Sequence, residues 1–152
     1  MTPRSGDKAD WLATIRRFLI LSGALHLVWE IVQLPLYTIW AEPIKRQAFA
    51  VLHCTAGDVM ISGLSMLAAL LLVGRPDWPK SSARSVFWLM LFVGLSYTAF
   101  SEWLNVNVRG NWAYSALMPT LPILGTGLAP LFQWIVIPGF VQRLVVGHWP
   151  WR

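Results

Sequence analysis

The sequence is poor in charge and nearly free of cysteine. Of its 152 residues only 12% are Asp, Glu, Lys or Arg, while 56% are hydrophobic. Soluble domains carry about a quarter of charged residues, so this balance excludes an ordinary soluble class and points to an integral membrane protein. The single cysteine, Cys54, excludes an intramolecular disulfide and any thiolate zinc cluster. Acid is scarcer than base, seven residues against twelve, for a net charge of +5. The basic residues flank apolar runs and form no solvated stripe, which argues against a nucleic-acid partner. There is no nucleophile elbow, Walker loop or dinucleotide fingerprint, and no internal repeat.

What is present is four apolar runs, near 14–40, 48–73, 85–105 and 121–146. Each is long enough to cross about 30 Å of hydrocarbon at roughly 20 residues per span. The expected fold is all-α, an integral membrane four-helix bundle in a single domain over 1–152. Basic residues precede the first run as they precede a signal peptide, yet its apolar core is far longer than the h-region of one, so it is read as retained. Arg4, Lys8, Arg16, Arg17, Arg75, Lys80, Arg84, Arg143 and Arg152 fall on one side of such a bundle, against Lys45, Arg46 and Arg109 on the other. By the positive-inside rule both termini are cytoplasmic, in a bacterial inner membrane. Trp11, Trp149 and Trp151 sit where interfacial aromatics belong.

The apolar runs carry polar seams. His26, Glu30 and Gln33 stand at i, i+4 and i+7, one stripe of a helix. Cys54, Asp58, Ser62 and Ser65 form a second stripe, from which His53 points away, and Thr98, Glu102 and Asn105 form a third. With antiparallel neighbours these stripes converge on the outer half of the bundle. An ionisable group at bilayer depth costs roughly 2.5–3.5 kcal/mol, so such groups face a partner, a cavity or a substrate. Small residues of the second run (Gly57, Ser62, Gly63, Ser65) suit close helix approach, and Trp29, Trp88 and Trp134 suit packing, or, facing a cavity, offer a π-face to a cation. The third loop, with Trp112, Tyr114, Pro119 and Pro122, is long enough to fold over the outer mouth as a lid.

A carboxylic acid, a carboxylate and an imidazole in apolar surroundings suit proton transfer to and from an alkene. His26, Glu30 and Asp58 are the expected acid–base set. Gln33, Tyr97, Glu102, Asn105, Trp112, Tyr114, Gln133 and Trp134 are the expected contacts to an apolar small-molecule ligand drawn from membrane lipids. No resident cofactor is expected. The segment Gly23-Ala24-Leu25-His26-Leu27-Val28-Trp29-Glu30 resembles the G-x-x-H-L-V-x-E-G helix of the sterol isomerase (emopamil-binding protein) family of the EXPERA superfamily. Trp134-Ile135-Val136-Ile137-Pro138-Gly139 is similar to that family's W-x-V-x-P-G, and Asp58 stands where the family has a glutamate. The resemblance implies isomerisation of a lipid double bond, with Trp134 as the face that stabilises a carbocation.

Two other readings fit the same residues. His26 and Glu30 at i, i+4, joined by His53 and Asp58, form the His/carboxylate set that bundles use for metals. Alternatively the chain is a non-catalytic ligand-binding or accessory subunit of a larger membrane complex. Association as a homodimer is compatible with all three.

Overall fold

The computed structural model describes residues 10–123 and 125–147. Arg4, Lys8, Arg152, Trp149 and Trp151, expected above to mark the membrane boundary, lie outside the described residues. Among the described residues four α-helices carry the fold: α1 (Asp10–Gln33), α2 (Ile44–Val73), α3 (Ala83–Trp103) and α4 (Leu128–Val146). Among the described residues there is no strand, only two isolated bridges. All four helices, two of them with the adjoining turns, are long and apolar enough to cross a membrane. Between 22% and 44% of each span's apolar window is buried inside the bundle. Most of the apolar surface therefore faces outward, as in a protein solvated by lipid.

The helix ends follow from local chemistry and shift the expected boundaries. α1 stops at Gln33, short of residue 40, because Pro35 has no N–H and disfavours helical geometry before it. Two short 3-10 turns follow, Leu34–Leu36 and Thr38–Ala41. Pro43 then precedes α2, which begins four residues before the expected 48. α3 runs into a single π turn, Leu104–Arg109, that ends at Gly110 with φ of 61°. α4 begins at Leu128 and not near 121. Ahead of it the chain turns back on itself: Leu121 N–H donates to Thr126 O and Leu128 N–H donates to Pro119 O.

Each helix packs on its chain neighbours and α4 closes the ring against α1. Polarity is divided along the bundle. At the end near the α2–α3 loop the core is apolar: Phe18, Met66, Ala69, Val86, Phe87, Met90, Ile137 and Val141. The opposite half, which carries the α1–α2 and α3–α4 connections, buries His26, Glu30, Gln33, Glu102, Asn105 and Gln133. The three seams thus meet in one half, because antiparallel neighbours bring the end of α1, the first half of α2 and the end of α3 to the same level.

The long third loop is not free. Thr38 N–H donates to Ala113 O and Ser115 N–H to Leu36 O, both at 2.9 Å, while Ser115 Oγ donates to Pro35 O at 3.0 Å. The carbonyls released by the proline break in α1 are taken up by this loop, which straps the end of the bundle.

Candidate functional site

The polar half is organised by Gln133, which α4 projects into the ring. Its Nε2 lies 2.7 Å from His26 Nδ1, 2.8 Å from Asp58 Oδ2 and 3.2 Å from Glu30 Oε1. Gln33 Nε2 donates to the same Glu30 oxygen at 2.8 Å and reaches Gln133 Oε1 at 3.5 Å. Trp29 Nε1–H donates to Gln33 Oε1 at 3.1 Å, which fixes that amide with its NH2 toward Glu30. His26 Nδ1 also lies 3.4 Å from Asp58 Oδ2. Three helices therefore bring two carboxylates and one imidazole around a single side-chain amide. An amide nitrogen has two hydrogens, enough for Glu30 and Asp58, and whether His26 Nδ1 accepts from it or donates to Asp58 is set by the tautomer of the ring.

Behind this group the packing is tight. The His26 side chain is fully buried, and its ring centroid lies 5.5 Å from that of Trp134, tilted by 44°. Trp134 is itself buried and rests on Gly94, where an added Cβ would come within 2.3 Å of Cζ3. Only glycine at 94 admits the indole. Among the described residues, His26 Nε2 and Trp134 Nε1 have no hydrogen-bond partner.

In front of it lies a cavity of about 1020 Å³, walled by all four helices. That is at the upper end of the roughly 300–1,000 Å³ typical of small-molecule sites. Glu30, Gln33, Asp58 and Gln133 line it, together with apolar Leu34, Val51, Ile61 and Val93. Met60 and Leu64 of α2 and Tyr97 of α3 line it while remaining more than half exposed. The wall between α2 and α3 is therefore open to the outer surface of the bundle.

A second polar group sits nearer the connections. Glu102 Oε2 accepts from Tyr114 Oη–H at 2.6 Å and from Tyr37 Oη–H at 3.4 Å, and Tyr114 Oη accepts from Gly127 N–H at 2.9 Å. Burial raises both phenols well above their usual range, and the Glu102 carboxylate raises them further, so both remain donors. Asn105 donates to Ser101 O and accepts from Asn111 Nδ2–H at 2.7 Å, which holds the π turn.

The expected site residues divide accordingly. His26, Glu30, Asp58, Gln33 and Gln133 converge on one point. Tyr97, Glu102, Asn105 and Trp112 line the cavity further along, and Tyr114 touches it through Glu102. Trp134 is not among the cavity-lining side chains and neither is His26; both stand behind Gln133 and Asp58. His53 borders the cavity from the exposed face of α2, stacked on Phe49 at 5.7 Å, away from His26 and Glu30. Among the described residues no group of three or more His, Cys, Asp and Glu side chains is arranged to hold a metal ion. Tyr37 is the site residue that seam counting omitted. It stands at i+7 from Glu30 and i+4 from Gln33, a continuation of the first stripe that the proline break conceals.

Compared with protein-family models, curated proteins and solved structures, the chain matches none.

Proposed function

We propose that the chain binds an apolar lipid or isoprenoid in the α2–α3 cavity and shifts its double bond by acid–base chemistry at Glu30 and Asp58. In this reading the protein is a distant member of the EXPERA-type isomerases, resident in a bacterial inner membrane with both termini cytoplasmic. The observation that carries it is the meeting of Glu30, Asp58 and His26 at Gln133, on the wall of a cavity lined mostly by apolar side chains. In this reading Glu30 and Asp58, which flank one donor with no Lys or Arg beside them among the described residues, divide the roles of acid and base. One carboxyl gives its proton to an alkene carbon, and the other removes a proton from a neighbouring carbon. No net proton is consumed. His26 reaches Asp58 but not the cavity, so it acts as a positioning residue: with a hydrogen on Nδ1 it donates to the Asp58 carboxylate, and Gln133 then serves Glu30 and Asp58. Trp134 stands behind His26, so cation stabilisation falls to the carboxylates themselves.

Deuterium wash-in tests the proposal without a named substrate. The purified chain, incubated with a bacterial membrane lipid extract in deuterated water, should place deuterium on carbon of one lipid class, read by mass spectrometry. Glu30→Gln and Asp58→Asn should lower the rate about 10²–10⁴-fold, the usual worth of a positioned acid or base, with the helical circular-dichroism signal retained. Absence of exchange into any lipid, or exchange unchanged in both variants, overturns it.

A further inference from the structure

The cavity is not electrically uniform along its length. Among the described residues, the Lys and Arg at the end that carries the α1–α2 and α3–α4 connections are Lys45, Arg46 and Arg109, and all three line the cavity. At the opposite end Arg16, Arg17, Arg75, Lys80, Arg84 and Arg143 do not. Three basic side chains gathered on one opening of a mostly apolar cavity call for a cause. Little internal acid occupies it. Among the described residues Lys45 and Arg109 make no ion pair, and the Arg46–Glu42 contact is 3.7 Å long between exposed groups. Exposed pairs of that kind are worth about 0–1 kcal/mol and yield readily to a better partner.

Carboxylates line the same cavity, but at another depth. Arg46 and Asp58 both border it and stand twelve residues apart on α2, about 18 Å along the helix axis at 1.5 Å per residue. Glu102 and Arg109 are separated by seven residues on α3 and its π turn. The cavity is therefore a slot with cations at its mouth, apolar walls between α2 and α3, and the Glu30–Asp58–Gln133 cluster inside.

We propose that the occupant is a single-tailed amphiphile with an anionic oxyanion head, a phosphate or a carboxylate. Its head is held by Lys45, Arg46 and Arg109, and its apolar tail extends toward Asp58. Two guanidinium groups suit an oxyanion in particular, because each can offer two parallel N–H donors. The inference rests on the lipid-binding reading above and narrows it: the backbone positions that present Arg46 to the head and Asp58 to the tail lie about 18 Å apart along α2. A neutral lipid would leave the three cations without a role.

The test uses the full chain in a neutral maltoside detergent and four probes that share one tail: monododecyl phosphate, dodecanoate, dodecanol and dodecyltrimethylammonium. Binding is read by isothermal titration. The phosphate or the carboxylate, or both, should bind at least about tenfold more tightly than dodecanol, and the cationic probe more weakly than dodecanol. The preference should shrink as salt is raised. Combined Lys45→Gln, Arg46→Gln and Arg109→Gln substitution should remove it while dodecanol affinity stays. Arg16→Gln with Arg17→Gln, a charge change at the other end, should leave it intact. The phosphate and carboxylate arms separate the two head chemistries. Equal affinity for all four probes overturns the anionic-head proposal and leaves lipid binding standing. Failure of every probe to bind overturns both.

Discussion

Substituting Gly94 by Ala tests whether the wall behind the polar cluster is as tight as the geometry implies. An added Cβ would lie 2.3 Å from Trp134 Cζ3, 2.6 Å from Cε3 and 3.2 Å from Cη2. Carbon atoms rest about 3.5–4.0 Å apart, so the indole must retreat by roughly 1.2 Å or more. It has little room: Trp134 is 1% exposed and the fully buried His26 ring stands 5.5 Å from it, centroid to centroid. Overpacking of this kind costs about 1–3 kcal/mol. At about 2–4 °C per kcal/mol for a chain of this size, thermal unfolding in detergent should fall by roughly 2–12 °C. Trp134→Leu removes the clash, so the double variant should be less destabilised than the two singles summed, by about 0.5–3 kcal/mol of coupling. Because the displaced ring presses on His26, deuterium exchange into lipid should fall as well. An unchanged unfolding midpoint, or strict additivity in the double variant, would refute the contact and the positioning role built on it.

Two further predictions concern the strap and the membrane. Tyr114→Phe deletes the donor to Glu102 and the acceptor for Gly127 N–H, so amide exchange over 113–127 should speed up several-fold while α1–α3 stay protected; equal protection of the loop would argue against the strap. Both phenols titrate above their usual value in the fold, so the stability they contribute is complete below pH 10 and is lost as pH rises through the raised values. Phenolate absorbance should therefore appear for Tyr37 and Tyr114 only together with loosening of the loop, and not before it. For topology, cysteine placed at Ser81 in a Cys54→Ala background should react with an impermeant maleimide only after the membrane is breached, whereas cysteine at Ala116 should react in intact cells. The reverse pattern would turn the proposed orientation over.

Much of the fold was legible because membrane helices must satisfy their own backbone, so length and apolarity locate them with little ambiguity. The seams were legible too. His26, Glu30 and Gln33 share a stripe, and so do Thr98, Glu102 and Asn105; each of these side chains is buried in the same half of the bundle. Helix periodicity fixes that from spacing alone. Spacing does not fix rotation about the partner's axis, which is why Trp134 proved to back His26 instead of facing the cavity. Nor does it show that one glutamine can serve as hub for residues more than seventy positions away. The basic residues near the mouth were read as topology marks because their convergence depends on how α2 and the π turn after α3 end. The helix boundaries at 33 and 128 moved for a local reason: prolines at 35, 119 and 122 end or delay a helix that hydropathy alone would prolong.

The opening between α2 and α3 has a consequence for how weak a useful site can be. If the proposed lipid guest enters through it, that guest never leaves the bilayer, and the quantity that fills the site is its mole fraction among lipids and not its concentration in water. Hydrophobic partitioning has by then been gained in the membrane and cancels between free and bound states. What discriminates one guest from another is the remainder: the fit of the chain and the polar contacts at either end.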